Sequence, residues 1–342
     1  MIFVVNAGSS SLKFALYTKQ MEEVAAGLVA EVSDHALALQ DMLSRHPVSG
    51  LTAAAHRVVH GGASLTGPCR ITPEVIAEIE RLCPLAPLHN PPALAAIRAL
   101  QMLAPNLPQY ASFDTAFHAT NPEVAVRYAI PQGLHDAGIR RYGFHGLSYA
   151  SLVGRVPPVR RLLACHLGNG ASLCAIVEGR SVATTMGYSP LDGLTMGTRA
   201  GGIDGNAVLA MATQHGIEGA SRMLNRESGL LALGGSNDMR KAGSFARQHF
   251  AYWAIRHAGS MIAAMVGLDA VVFTGGIGEN DHGVRAMILD GLAHMGVVYD
   301  APANRQNAHV LHDGASRVAI WTVKAQEERH IAMEALGVME AA

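Results

Sequence analysis

The sequence predicts an α/β protein built from two related halves. Strand and helix patterns alternate along the chain, and 342 residues suit two domains or one large domain with a deep cleft. Two distant stretches, VVNAGSSSLKFAL and ACHLGNGASLCAIV, share one form: an apolar strand, a turn of small residues, and a second strand. A fold with two similar halves produces such an echo, although two glycine-rich hairpins can also coincide by chance.

The patterns place the predicted elements as follows. In the first half, Thr72 and Pro73 have the residue types of a helix N-cap and first helical position. The other predictions there are strands at 2–5, 12–17, 53–60 and 111–114, helices at 34–45 and 93–103, a capped helix ending at 82, and a loop at 84–92. The second half predicts strands at 162–166, 172–178, 181–186 and 270–274, helices at 206–215, 245–266 and 326–336, and a turn at 275–278.

Charge and cysteine content exclude several classes of function. The net charge is -1 and the pI is about 7.0, so nothing predicts binding to nucleic acid or to a membrane surface. The longest apolar stretch, around 258–268, is too short to cross a bilayer. The four cysteines form no C-x-x-C pair, which disfavours a zinc knuckle or a redox motif. We expect a soluble cytoplasmic protein.

Three turns of small residues favour a phosphate site. They lie at 6–11, 168–172 and 275–279, and each follows an apolar strand. Glycine and serine expose backbone N–H groups and hydroxyls without bulk, which suits an oxyanion. Any single one of these turns is more simply an ordinary turn, but three together favour a nucleotide cradle. The chain has no Gly-Lys P-loop and no G-x-G-x-x-G after a strand, so the cradle belongs to another architecture.

Two arginines lie among apolar and glycine residues. Arg57 is in AAAHRVVHGG and Arg199 is in LTMGTRAGG. A buried arginine must be paired, and a salt bridge to a nearby carboxylate explains either one alone. Because both neighbourhoods are poor in carboxylates, the pair favours a clamp for an anionic ligand.

Several other polar residues are candidates for a site. Asp114 ends a strand in SFDTAFH, His145 lies in YGFHG, and His89 lies in the proline-fixed loop PLHNPP. Each has an ordinary structural explanation of similar weight. His56 and His60 have a spacing that a metal could use, but HRVVH has the pattern of a strand end, so we favour a structural role for both.

These motifs occur together in one family. In order along the chain they are NAGSSSLKF, HRVVHGG, PLHNPP, FDTAFH, YGFHG, HLGNGAS, SPLDGLTMGTR and FTGGIGEN, and with them the sequence resembles the acetate/propionate kinase family over nearly its whole length. The resemblance implies two similar α/β domains of the actin-like ATPase (ribonuclease H-like) type, with a nucleotide cleft between them. Domain I, on the acyl-substrate side, would comprise 1–148 and 326–342, and domain II, which binds nucleotide, would comprise 149–325.

The resemblance also implies roles for individual residues. The implied catalytic residues are Arg57, Asp114, His145 and Arg199, with Arg57 also binding substrate. The implied metal residues are Asn6 and Glu327, with Glu328 as the alternative glutamate. The implied nucleotide-binding residues are Asn6, Ser9, Ser11, Lys13, His166, Leu167, Gly168, Asn169, Gly170, Asp238, Met239, Arg240, Gly275, Gly276, Ile277, Gly278 and Asn280.

The implied reaction is reversible phosphorylation of acetate by ATP to acetyl phosphate, by direct in-line transfer. The resemblance implies Mg²⁺, or Mn²⁺ in its place, and a homodimer that uses acetate with ATP or ADP. A carboxylate is already ionised at neutral pH, so no general base is required. Asp114 is then expected to position magnesium or an arginine. The alternatives are a propionate or butyrate kinase on the same scaffold, or a nucleotide-binding relative with weak activity.

The acyl pocket of the family corresponds to Val59, Leu88, Phe144 and Pro190. Valine at position 59 narrows this pocket, and one methylene is worth about 1–3 kcal/mol, so we expect acetate to be preferred over propionate. The chain departs from the family pattern by a shortened segment between Tyr17 and His56. It also has Tyr149 where a second histidine is usual. In VKAQEER, the residues that lead into the glutamate pair differ from the proline-threonine-asparagine that is usual in the family.

Overall fold

The structure is a computed structural model that describes residues 1–8, 11–32, 34–45 and 48–341. Its strands are β1 (Ile2–Ala7), β2 (Ser11–Tyr17), β3 (Glu23–Ala30), β4 (Ala53–Val58), β5 (Cys69–Arg70), β6 (Gln109–Phe113), β7 (Arg161–Leu167), β8 (Ala171–Val177), β9 (Arg180–Thr184), β10 (Ala270–Thr274) and β11 (Ala319–Thr322). Its α-helices are α1 (His35–Arg45), α2 (Pro73–Arg81), α3 (Asn90–Leu103), α4 (Glu123–Val126), α5 (Gln132–Asp136), α6 (Gly146–Leu152), α7 (Gly205–Arg226), α8 (Gly229–Gly234), α9 (Ser244–Met265), α10 (Gly275–Asn280), α11 (His282–Gly291), α12 (Ala301–Arg305) and α13 (Glu327–Glu340).

The chain divides into two compact units. Unit 1 comprises Met1–Ala119, Gly146–Ser151 and Gln326–Ala342, and unit 2 comprises Thr120–His145 and Leu152–Ala325. The segment Thr120–His145, which the sequence prediction assigns to domain I, belongs to unit 2.

Unit 1 is built on a six-stranded sheet with the order β3-β2-β1-β4-β6-β5. The strands β1, β2 and β3 form an antiparallel meander, in which Asn6 lies opposite Lys13. The strands β1, β4 and β6 are parallel to one another, so their carboxyl ends lie at one edge of the sheet.

Unit 2 repeats this arrangement. Its sheet has the order β11-β10-β7-β8-β9, in which β7, β8 and β9 form an antiparallel meander and β10 and β11 run parallel to β7. Written from the meander side, β9-β8-β7-β10-β11 has the same connectivity as β3-β2-β1-β4-β6. The prediction of two related halves, each beginning with a hairpin, is therefore confirmed.

Both faces of the unit 1 sheet are buried against helices. Leu12 and Leu16 of β2 belong to one cluster with Leu39 of α1 and Leu100 of α3. On the opposite face α13 places Ile331, Ala332 and Ala335 against residues of β1, β2 and β4. The two small alanines let the helix approach the sheet closely, and Ile331 fills the remaining space at 0% exposure.

Several predicted elements differ from the structure in their limits. Thr72 caps α2 as predicted, since its hydroxyl accepts from the Val75 amide. Helix α3 begins at Asn90 within the predicted loop, because Pro91 and Pro92 fall in its first turn, where no amide is required. Helix α7 continues past the predicted end at 215, but Gly216 interrupts it with a φ of 73°. The residues 275–278, predicted as a turn, begin helix α10 instead.

Strand β3 was not predicted at all. It forms one edge of the unit 1 sheet, and its sequence EVAAGLVA is rich in alanine, which has a low strand propensity. Gly27 lies opposite Phe14 in β2, and a Cβ on this glycine would lie only 2.6 Å from the Phe14 ring. The glycine thus leaves room for the aromatic ring of the neighbouring strand.

No helix in the part of the chain that the structure describes is both long and apolar enough to span a membrane.

We predict that Ile331→Ala lowers the free energy of unfolding by about 2–5 kcal/mol, because it leaves a cavity between α13 and the sheet. Guanidinium denaturation followed by circular dichroism measures the change. The control is Met333→Ala on the same helix, where the side chain is 44% exposed and the expected change is below about 1 kcal/mol. Equal losses from the two substitutions would show that α13 is not packed on the sheet through Ile331.

Candidate active site

The parallel strands of unit 1 bring three predicted site residues together. Asn6 lies near the end of β1, Arg57 near the end of β4, and Asp114 directly after β6. The carboxyl ends of parallel strands are the usual position of ligand sites in α/β folds. Helix α13 begins at Glu327 and adds its first two residues to the same group.

Arg57 and Asp114 form a bidentate ion pair. Arg57 Nε donates to Asp114 Oδ1 at 3.0 Å and Nη2 donates to Oδ2 at 2.6 Å. The third nitrogen, Nη1, lies 3.4 Å from the side-chain oxygen of Asn6. Asp114 is buried at 2% exposure, so its charge depends on this partner. The salt-bridge explanation that the sequence left open for Arg57 is the one the structure supports, and the carboxylate orients the guanidinium.

The two glutamates of α13 have different partners. Glu327 Oε2 lies 4.0 Å from Arg57 Nε, while Glu328 Oε1 lies 2.7 Å from Lys13 Nζ. Lys13 is half exposed, whereas Glu328 is largely buried. The first glutamate therefore belongs to the Arg57 group, and the second anchors the lysine of the first hairpin.

The electrostatics of this group are those of a crowded acidic cluster. Burial raises the pKa of Glu327, and the nearby carboxylates of Asp114 and Glu328 raise it further, against the opposing effect of Arg57. Burial acts to lower the pKa of Arg57, but Asp114 and Glu327 outweigh it and the net shift is upward. Arg57 is thus held as a cation, and Glu327 is the carboxylate that lacks sufficient positive charge nearby.

The turn of the first hairpin is partly described. The Gly8 amide donates to Ser11 O at 2.8 Å, and His35 of α1 lies with its Nε2 2.9 Å from Gly8 O. Ser9, one of the predicted phosphate-binding residues, lies outside the described residues.

Asn90 joins HRVVHGG to PLHNPP and was missed by the sequence reasoning, which considered His89 instead. The Asn90 side chain accepts from His60 N at 3.1 Å and donates to His60 O at 3.0 Å. Burial lowers the pKa of both His56 and His60 to about 4, and His56 Nε2 lies 2.7 Å from Gln109 Oε1. Both histidines are therefore neutral core residues, which agrees with the structural role favoured from the sequence.

The four residues predicted for the acyl pocket lie in both units. In unit 1, Val59 is buried and Leu88 is 40% exposed. In unit 2, Phe144 is buried at 1% exposure and Pro190 is half-buried.

His145 in unit 2 is held from two sides. It has a φ of 59°, a left-handed conformation that is uncommon outside glycine. Its Nδ1 lies 2.8 Å from Ser172 Oγ at the start of β8, and its ring stacks on His166 with 4.1 Å between centroids. Such a backbone conformation persists only where the surroundings over-determine it, as they do here.

Arg199 lies beside the same turn. A Cβ placed on Gly170 would be 2.8 Å from Arg199 Nη2 and 3.1 Å from His145 Nε2, so the two side chains flank one glycine. Arg199 Nη1 donates to Pro190 O at 2.5 Å. Within the described ranges no carboxylate lies at ion-pairing distance from Arg199, and burial lowers the pKa of this arginine. An under-compensated cation next to a glycine turn is an anion-binding arrangement.

A cavity of about 460 Å³ lies next to this turn within unit 2. Its walls come from the turn after β7, from the segment before α9, and from α10. The predicted nucleotide-binding residues that line it are Gly168, Asn169, Asp238, Met239, Arg240, Gly276, Ile277 and Asn280. Arg240 donates to both carboxylate oxygens of Asp238, which lowers the pKa of that carboxyl to about 2.

Three further polar residues shape this cavity and were not predicted. Asn237 and Asp281 line it, and Asp281 also caps α11 and pairs with Arg247. Glu279 accepts from the Gly275 amide at 3.0 Å and so fixes the start of α10. The only sequence signal for them was their place inside or directly after SNDMR and GGIGEN.

The donor set of unit 1 fits a magnesium ion. Asn6 and Glu327 offer an amide and a carboxylate oxygen, which are the hard ligands that Mg²⁺ prefers. Burial first, and the carboxylates of Asp114 and Glu328 after it, raise the pKa of Glu327, and a nearby cation would favour its ionised form. No group of three or more His, Cys, Asp or Glu side chains in the described chain is placed to hold a metal alone.

Comparison with known proteins identifies the family. Residues 31–333 match the model of the Acetokinase family. The acetate kinase of Rhodopseudomonas palustris (strain ATCC BAA-98 / CGA009) is 40% identical over 97% of this chain and 96% of its own length. The crystal structure of Porphyromonas gingivalis acetate kinase superposes with a TM-score of 0.91 at 32% identity, covering 99% of each chain. A propionate kinase from Francisella tularensis has a TM-score of 0.91 at 35% identity, covering 97% of this chain and 98% of its own.

The repeated sheet connectivity and these structural neighbours confirm the predicted fold class, the actin-like ATPase type. The site geometry and the near-complete coverage of the relatives lead to the same assignment. The chain belongs to the acetokinase family.

Proposed function

We propose that this enzyme phosphorylates acetate with ATP to form acetyl phosphate, reversibly and by direct in-line transfer. The observation that carries the proposal is the position of Arg199 and His145, which flank Gly170 with no carboxylate to neutralise the arginine among the described residues. A protein that only binds nucleotide has no need of such a cation beside a phosphate turn. Membership of the acetokinase family supports the same reaction.

Unit 2 supplies the phosphate and nucleoside contacts. The Gly168 amide closes the turn by donating to Gly170 O at 2.9 Å, and the amides of Asn169 and Gly170 can donate to phosphate oxygens. The cavity beside the turn has room for a nucleoside. Arg199 and His145 would stabilise the charge on the phosphoryl group during transfer. In a loose phosphoryl-transfer transition state, such fixed donors and cations supply most of the protein's contribution.

Unit 1 supplies the orienting charges for the carboxylate substrate. Acetate has a pKa close to that of a glutamate side chain, about 4.3, so it is a nucleophile at neutral pH without a general base. Asp114 is fully occupied by Arg57, which fits an orienting role and not proton removal. Among the described residues, the third guanidinium nitrogen of Arg57, Nη1, has one hydrogen bond, a long one to Asn6. This nitrogen can therefore donate to an anionic ligand.

Asn6 and Glu327 are the residues that would hold Mg²⁺, with Mn²⁺ as a substitute. When bound, the ion neutralises negative charge on the phosphate oxygens of ATP. Glu327 is the better choice of the two glutamates because Glu328 is already paired with Lys13.

The acyl group would contact Val59, Leu88, Phe144 and Pro190. We propose acetate as the preferred substrate and propionate as a slower one, because the branched valine narrows the pocket. The similarity to a propionate kinase keeps the longer acid as the alternative.

We also propose a cytoplasmic homodimer. Family membership supports a dimer, and unit 2 carries exposed apolar side chains on α7 and α9, including Leu209, Ile217, Phe245 and Tyr252. Exposed apolar groups of this kind often mark protein contacts. The use of ATP, a cytoplasmic metabolite, supports the location.

A hydroxylamine trap for acyl phosphate tests the proposed reaction. Enzyme, ATP and Mg²⁺ are incubated with each unbranched acid from one to five carbons, and the hydroxamate is measured. We expect the highest kcat/KM with acetate, a lower value with propionate, and loss of product when EDTA removes the metal. Nucleotide binding without hydroxamate from any acid would contradict the kinase assignment, and a maximum at propionate would select the alternative substrate.

We predict that Arg199→Ala lowers kcat by at least about 100-fold, because it removes a fixed cation from the developing phosphoryl charge. The fold should be retained, since no carboxylate in the described chain depends on this arginine. Hydroxamate production and circular dichroism measure the two effects. The control is Arg222→Ala on α7, an exposed residue paired with Glu227, which should keep wild-type kcat. A wild-type rate in the Arg199 variant would refute its role.

We predict that Val59→Ala raises kcat/KM for propionate relative to acetate by about 3- to 10-fold, because the smaller side chain admits another methylene. Steady-state kinetics with both acids give the ratio. Val24→Ala, on the exposed face of β3, is the control and should leave the ratio unchanged. An unaltered ratio in the Val59 variant would remove this residue from the pocket.

A further inference from the structure

Unit 2 contains an ion pair that the proposed chemistry does not use. Arg141 Nη1 donates to Asp192 Oδ2 at 2.9 Å, and its guanidinium lies over the ring of Tyr128, 5.3 Å from the centroid. The Tyr128 hydroxyl in turn accepts from the Tyr188 amide at 2.9 Å. We call Arg141, Asp192, Tyr128 and the enclosed Gly187 the Arg141 cluster.

Gly187 lies at the centre of the Arg141 cluster. Its carbonyl accepts from the amides of Tyr142 at 3.0 Å and Gly143 at 3.3 Å. A Cβ at this position would lie 2.4 Å from Tyr128 Oη and 2.5 Å from Asp192 Oδ2. Only glycine fits, and its small size lets the segments 141–145 and 187–199 bond backbone to backbone.

Each of these segments ends in one of the two residues that flank Gly170. His145 follows Arg141 by four positions, and Arg199 follows Asp192 by seven. The two side chains meet at Gly170, as described above. The Arg141 cluster therefore joins the two backbone segments that carry His145 and Arg199.

The segment that bears Arg199 has no regular secondary structure to hold it. No helix or strand lies between the end of β9 at Thr184 and the start of α7 at Gly205. Several hydrogen bonds anchor it, among them Gly197 N to Asn169 O at 2.9 Å, and Asp192 adds one through Oδ1, which accepts from the Gly193 amide. In a long irregular segment, each bond of this kind contributes to the backbone path.

Stability alone does not explain the ion pair. The Arg141 side chain is 25% exposed and that of Asp192 is 39% exposed, and pairs at this exposure contribute little to the free energy of folding. Neither side chain contacts the phosphate turn in the described structure, so neither has a direct part in transfer.

We propose that the Arg141–Asp192 ion pair is a positioning device that sets His145 and Arg199 for phosphoryl transfer. This inference rests on the proposed function, because it deepens the role of the same site. It assigns Arg141 and Asp192 as positioning residues and not as catalytic ones. Misplacing preorganised groups lowers the rate of the chemical step more than it lowers ground-state binding.

A double-mutant cycle in the full-length enzyme tests the proposal. Arg141→Met and Asp192→Asn, the latter isosteric, should each lower kcat about tenfold while changing KM for ATP less than about twofold. The double variant should lose no more than either single one, because both remove one interaction. Asp192→Glu, which keeps the charge, should recover most of the rate. Additive losses, or a loss confined to KM for ATP, would overturn the proposal.

A second ion pair of unit 2 provides the matched control. Arg161 Nη2 lies 2.5 Å from Asp269 Oδ1, and the two side chains are 32% and 29% exposed. Arg161 begins β7, and Asp269 directly precedes β10. Asp269→Asn should leave kcat at the wild-type value. If it lowers kcat as much as Asp192→Asn does, the effect is a general loss of stability and the positioning role is wrong.

The imidazole ¹⁵N signals of His145 give a readout that needs no turnover. They are assigned by their absence in His145→Gln and should move in Asp192→Asn and return in Asp192→Glu, but stay in place in Asp269→Asn. If the wild type makes no acyl phosphate, the proposed function fails while this comparison still decides whether the pair positions His145. Unmoved signals in Asp192→Asn overturn the inference whatever the activity, and Arg141→Lys repeats the test if Asp192→Asn does not fold.

Discussion

A buried charge must have a partner, and the two arginines of the candidate site meet this requirement differently. Arg57 is neutralised within the protein by Asp114, to which its guanidinium donates two hydrogen bonds. Arg199 donates to the carbonyl oxygen of Pro190 and has no carboxylate within ion-pairing distance among the described residues. The first arrangement gives a rigid group whose orientation the protein sets in advance. The second leaves a cation beside Gly170 whose compensation can come from an anionic ligand.

The repeated sheet explains where both groups are. In each unit the first hairpin occupies the same place in the strand order, and the strands beside it run parallel. Each unit therefore offers its polar residues at equivalent positions. In unit 1, Asn6 and Arg57 lie near the ends of β1 and β4, and Asp114 follows β6; in unit 2, His166 lies near the end of β7 and Gly170 follows it. The residues themselves differ in charge, with an acidic group in one unit and a basic one in the other. One architecture thus serves two electrostatic tasks.

The sequence predicted the fold class, both hairpins and the long helices, because apolar periodicity and capping residues are local signals. It failed where structure depends on distant contacts. Strand β3 is held by pairing with β2 despite its alanine-rich sequence, and α10 begins where glycines suggested a turn because Glu279 bonds back to Gly275. Motif residues such as Arg57 and His145 were predictable by resemblance. Asn90, Glu279 and Asp192 were not, because each bonds to a group far away in the sequence, respectively the His60 backbone, the Ala325 amide and the Arg141 side chain, which leaves no local pattern in the chain.

Strand β3 has a further consequence for how the protein behaves in concentrated solution. It is an eight-residue edge strand whose outward side chains include Val24 at 54% and Leu28 at 65% exposure. An open, apolar strand edge is a template for pairing with another chain and so promotes aggregation. The acidic residues Glu22, Glu23 and Glu31 bracket this strand, and their repulsion between chains counteracts such pairing. The glutamates at this edge of the unit 1 sheet therefore favour the solubility of the folded enzyme.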